Sequence, residues 1–80
     1  MLSDAEISFL NQNSVLRKHA VLVSGHKTSV SMEPAFWEAL KQIAKKQGLS
    51  LNQLISDIDA VRTGNLSSAI RLYVLHQWKK

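Results

Sequence analysis

Six residues that alternate in character, Lys27-Thr28-Ser29-Val30-Ser31-Met32, run straight into Glu33-Pro34 with no loop between them. Alternation with period two marks a strand, whose successive side chains point to opposite faces. Thr28, Val30 and Met32 share one face, which can pack on a core, and Lys27, Ser29 and Ser31 share the other. The second face offers one cation and two hydroxyls, groups that suit a polar, anionic partner. Pro34 fits the first position of a helix, where its missing N–H is not needed.

The segment after this strand has a different period. Phe36, Trp37, Leu40, Ile43 and Ala44 recur at three and four, with Glu38, Lys41, Gln42, Lys45 and Lys46 between them. That pattern predicts a helix over about 34–47. Lys45 and Lys46 suit its negative end, where they can also meet a DNA backbone, and Gly48 supplies a left-handed cap. Ser50 and Gln53 have capping-box spacing and open a second helix over about 50–62, with a stripe of Leu51, Leu54, Ile55, Ile58 and Val61. Thr63-Gly64-Asn65 interrupts the pattern, and Asn65 or Ser67 can cap a third helix over about 66–78. That helix carries Leu66, Ala69, Ile70, Leu72, Tyr73, Val74, Leu75 and Trp78, apolar nearly all round, so it is expected in a core or an interface.

Strand, helix, Gly turn and helix, in this order and spacing over residues 27–62, resemble the ribbon-helix-helix DNA-binding domains of the Arc and methionine repressor family. The wording Gly25-His26-Lys27-Thr28-Ser29-Val30-Ser31-Met32-Glu33-Pro34-Ala35-Phe36-Trp37 is also similar to a bacterial subfamily of small proteins of this type. The resemblance implies a mainly α fold with a short β-ribbon, an intertwined homodimer, and double-stranded DNA as partner. Two copies of the strand would pair antiparallel and enter the major groove as a repressor does. By the same resemblance, Lys27, Ser29 and Ser31 would read base edges, and the start of the second helix, Ser50, Leu51 and Asn52, would hold a phosphate. His26 is a further candidate for a phosphate. The expected dimer core is Val30, Met32, Trp37, Leu40, Leu54, Ile55, Ile58, Ile70, Tyr73 and Val74. The third helix is an addition to the short members of the family.

Size and charge agree with this. Eighty residues make one domain with a modest core, and without cysteine no disulfide can staple it, so dimerisation is the remaining way to enlarge that core. Ten Lys and Arg against six acids give a net charge of +4, which favours an anionic partner. No apolar run is long enough to cross a membrane. The N-terminus has no basic-then-apolar block, so the chain is expected to be cytoplasmic.

Residues 1–17 read as a flexible arm and 18–80 as the domain. Ser3 and Glu6 have capping-box spacing, so the arm can carry a transient helix. The run His19-Ala20-Val21-Leu22-Val23 is β-prone, and Ser24-Gly25 ends it. Residues 18–23 either fold back on 27–32 as a hairpin with a turn at Ser24-Gly25-His26, or extend away and pack elsewhere on a dimer.

No catalytic constellation emerges. There is no G-x-S-x-G elbow, P-loop or G-x-G-x-x-G motif, and His19, His26 and His76 are scattered. Neither an enzyme, a metal site nor a cofactor is expected. The competing reading is a protein-interaction module, antitoxin-like or an adaptor, on the same dimeric scaffold. It would use the apolar third helix to dock a protein partner or to build a higher oligomer.

Overall fold

The computed structural model describes residues 1–79. Its elements in order are α1 (Asp4–Gln12), β1 (Arg17–Val23), β2 (His26–Met32), α2 (Pro34–Lys46), α3 (Leu51–Val61) and α4 (Leu66–Trp78). The fold is mainly helical with a two-stranded ribbon, as the resemblance implies, and it carries the extra C-terminal helix.

Of the two arrangements open for residues 18–23, the chain adopts the hairpin. β1 pairs antiparallel with β2 from Arg17 opposite Met32 to Val23 opposite His26. The loop is two residues, Ser24 and Gly25, and His26 already belongs to the ladder. Both loop residues have positive φ, +52° and +82°. That is the handedness a two-residue hairpin needs to match the twist of its strands. Glycine adopts it freely at the second position, whereas Ser24 holds it as a non-glycine residue.

One face of the ribbon lies on the helices. Val21, Val23, Val30 and Met32 are buried there, with α3 packed along β1 and α4 reaching β2. Trp37, Leu40 and Ala44 of α2, Leu54, Ile55 and Ile58 of α3, and Ile70 and Val74 of α4 complete one continuous core. Burying an aliphatic side chain of this size stabilises by about 1.5–3 kcal/mol. The residues expected as dimer core are thus already covered by a single chain, except Tyr73, which is half-buried. Tyr73 instead accepts a hydrogen bond from Gln47 Nε2 at 2.9 Å. The apolar surface of α4 is divided. Ile70 and Val74 face inward, while Leu72, Leu75 and Trp78 stay 64%, 49% and 79% exposed.

The helix ends follow local rules. Gly48, at φ +70°, closes α2, with its amide donating to the Lys45 carbonyl and the Leu49 amide donating to the Ala44 carbonyl. This is the six-residue Schellman closure, which satisfies two orphan carbonyls. Asn65, rather than Ser67, caps α4 by accepting from the Ser68 amide at 2.8 Å. Ser3 and Glu6 form both bonds of a capping box, and residues 4–12 make a nine-residue helix where an arm is expected. No residue of that helix is buried.

Glu33 stands at the cap position of α2 but makes no capping bond with its side chain. Its carboxylate accepts from Arg71 Nε of α4 at 2.8 Å, which ties the strand-to-helix junction to the last helix. This bond holds the Glu33 pKa below its ordinary value of 4.5. The folded chain therefore gives up this proton more readily than the unfolded chain does. The contribution is fully present above about pH 4.5, the unfolded value, and is lost as pH falls through the lower folded value. Both side chains are about a third exposed, so solvent keeps the term within about 1 kcal/mol. Urea unfolding between pH 3 and 6 checks this: Glu33→Gln should lower stability at pH 6 and flatten its decline toward acid.

Candidate nucleic-acid interface

The hairpin register decides where each ribbon group points. A two-residue loop makes Val23 and His26 a hydrogen-bonded pair, and bonded pairs recur at every second position. The amides and carbonyls of Thr28, Val30 and Met32 thus face β1. Those of Lys27, Ser29 and Ser31 face away from it, along the outer edge of β2. On β1 the outward amide of Leu22 donates to Asn52 Oδ1, and that of the loop residue Ser24 donates to Ser56 Oγ, both at 3.3 Å. Side chains of α3 therefore answer the outward amides at the loop end of the hairpin.

The face of the ribbon opposite the core combines both strands. Lys18, Ala20 and Leu22 of β1 stand across from Ser31, Ser29 and Lys27 of β2. Lys27 and Ser29 are exposed and Ser31 is half-buried, so the three expected base readers lie together on one face. Thr28 has the parity of Val30 and Met32 yet is exposed. No acidic residue occurs between Glu6 and Glu33, whereas Arg17, Lys18 and Lys27 all lie on the hairpin. The ion pairs of the described residues lie elsewhere, Lys41 with Glu38, Arg62 with Asp59 and Arg71 with Glu33. The hairpin charge is therefore uncompensated.

The start of α3 sits beside β1. Ser50 Oγ accepts from the Gln53 amide and the Ser50 carbonyl from the Leu54 amide. The Leu51 and Asn52 amides have no acceptor within the helix, as at any helix start, and a helix start favours an anion. Ser50 acts through its capping bond. Asn52 uses its side-chain oxygen to hold β1, and its backbone amide is the group that the resemblance implies for a phosphate. His26 is exposed at the hairpin tip, next to the loop whose Ser24 amide donates to Ser56 Oγ.

One contact has no counterpart in the sequence reading. The His19 ring stacks on the Trp37 indole, with centroids 3.9 Å apart and planes 7° from parallel, and its Nε2 is buried without a partner. The signal was its parity, because His19 alternates in phase with Val21 and Val23.

No group of side chains among the described residues could hold a metal ion, and no described helix is long and apolar enough to cross a membrane. Residues 16–78 match a family described as a ribbon-helix-helix domain. Among solved structures, the fold is similar to that of an uncharacterized protein from Bordetella pertussis Tohama I. The TM-score is 0.72 at 23% identity, over 95% of this chain and 69% of that one. At this identity the likeness concerns the fold alone. No curated protein matches the sequence.

Proposed function

As the chain belongs to the ribbon-helix-helix domain family, we propose that it is a sequence-specific DNA-binding transcriptional regulator, a repressor of bacterial type that acts in the cytoplasm as a homodimer. Two β2 strands pair antiparallel through the edge that carries the Lys27, Ser29 and Ser31 amides. The ribbon so formed enters the major groove. The observation that carries this reading is the hairpin itself, which has an open β2 edge and an outer face with cations and no acid.

Within that reading, Lys27 determines sequence preference, because an ammonium can donate to guanine O6 and N7. Ser29 and Ser31 donate or accept and discriminate weakly. The α3 amides and the basic side chains fix the register on phosphates. Residues 1–16, which precede β1, are an arm outside the DNA-binding unit, and Arg17, expected in that arm, instead opens the hairpin. Selection of bound duplexes from random DNA at about 150 mM salt tests the reading, because non-specific binding is suppressed there. A near-palindromic motif with two half-sites is expected. Lys27→Ala should weaken binding to that motif by about 1–3 kcal/mol and relax preference at one position of each half-site. Unchanged affinity would remove Lys27 from recognition.

The exposed Leu72, Leu75 and Trp78 of α4 favour a second reading, a protein-interaction module on the same scaffold. Failure to enrich any motif in the selection, with only salt-sensitive binding left, would move the function to that surface.

A further inference from the structure

We infer that Lys18 of β1 is a phosphate-binding residue at the rim of the major groove, with a role separate from that of the β2 side chains. The inference rests on the reading above, in which two β2 strands pair. Pairing two hairpins through β2 makes a sheet of four strands, in the order β1, β2, β2 and β1. Adjacent strands lie about 4.8 Å apart, so the two outer backbones are separated by about 14 Å. The major groove is about 12 Å wide. The central β2 pair fits within it, and the β1 strands fall over its walls, where the phosphates run.

The outer face of β1 has the composition such a position needs. Lys18 stands across from Ser31 on the face turned away from the helices. It is exposed, and the ion pairs of the described residues leave it out. Its face neighbours on the strand, Ala20 and Leu22, have no side-chain donor or acceptor. β1 therefore cannot read bases by hydrogen bonding, and its polar contribution on this face is one long cation at the end remote from the loop. Beyond β1 in the same direction lies α3, held to the strand by the bond from the Leu22 amide to Asn52. Lys18 stands four residues from Leu22, about 13 Å along the strand, so its ammonium meets that wall of the groove at a point of its own, and a phosphodiester backbone, which repeats its charge along the wall, is the ligand class that answers a lone cation there.

The test compares two duplexes, the one recovered by selection and a scrambled duplex of the same composition. Affinities of the wild-type chain, Lys18→Ala, Lys18→Arg and Lys27→Ala are measured between 50 and 300 mM salt. Lys18→Ala should weaken binding to both duplexes by a similar factor, about tenfold at the lowest salt. It should lower the salt slope by about 2, one phosphate for each of two chains, and leave the preference between duplexes intact. Lys18→Arg should restore the slope, and Lys27→Ala should reduce the preference instead. An unchanged slope in Lys18→Ala overturns the assignment, as does a loss of preference in that variant, which would make Lys18 a base reader. A wild-type chain that binds neither duplex overturns both this inference and the DNA-binding reading. Normal wild-type binding with no effect of Lys18→Ala overturns this inference alone. Circular dichroism of each variant establishes that its fold is kept.

Discussion

Ser29→Pro is expected to leave the chain folded and to abolish its self-association at micromolar concentration. The Ser29 amide points out of the hairpin, away from the ladder that Thr28, Val30 and Met32 make with β1. Proline is tolerated on an edge strand when the missing donor faces outward. Within one chain the substitution removes no ladder bond. Between two chains it removes a donor from each and places a ring where the partner strand must approach. Two lost bonds amount to roughly 1–3 kcal/mol, about 5- to 150-fold in the dimer dissociation constant before the ring's bulk is counted. Sedimentation equilibrium reads the association, and far-ultraviolet circular dichroism reads the fold. Thr28→Pro is the contrast, since its donor serves the hairpin and its loss should damage the monomer. A Ser29→Pro chain that still dimerises with unchanged affinity would rule out β2 as the pairing edge.

Trp37→Ala should destabilise the chain by about 3–5 kcal/mol, the range for removing a buried aromatic side chain. Domains are stable by only about 5–15 kcal/mol, so this one change removes much of the margin. Trp37 belongs to the core and also carries the stacked His19, so it joins α2 to β1. Its removal opens space beneath the ribbon and leaves the His19 ring without its platform. The ribbon should loosen before the helices do, and hydrogen exchange of the β1 amides should accelerate more than that of α3. Urea unfolding measures the total. Trp78 is largely exposed, so a Trp78→Phe background lets fluorescence report Trp37 in the reference chain. A loss under about 1 kcal/mol would mean that the site collapses around the missing ring. Trp37→Phe, which keeps an aromatic platform, should recover part of the loss.

The fold class was readable because it rests on short-range patterns. The period of two in 27–32, the Pro at the start of α2, the spacing of apolar residues and the Gly48 cap are all local, and local rules act before any tertiary contact forms. Parity also placed Val30 and Met32 inward and Lys27 and Ser29 outward. It could not say how far the cover extends, and Thr28 shows this, in phase with the core and still exposed. What stayed hidden depends on distant pairs. Glu33 meets Arg71 across 38 residues, and the β1 edge meets Asn52 and Ser56 across 30 and 32. Nothing near Asn52 in the chain marks its side chain as a brace for a strand. The choice between hairpin and extended segment had the same origin. Ser24-Gly25 permits the tight loop, and the packing of Val21 and Val23 under α3 selects it.

The bonds that Asn52 and Ser56 make to β1 bear on how many copies can join. A sheet with two bare edges has no natural end, because each added copy offers the next one a fresh template, and the product is a fibre. Here the α3 side chains answer the outward amides near the loop end of β1. At that end of the sheet, growth by strand pairing has the β2 edge to start from. In the dimer proposed above, two molecules that meet there would use it up on both sides, and the assembly would end as a closed pair. In that dimer, the same two side chains that hold the strand in place would also limit stoichiometry.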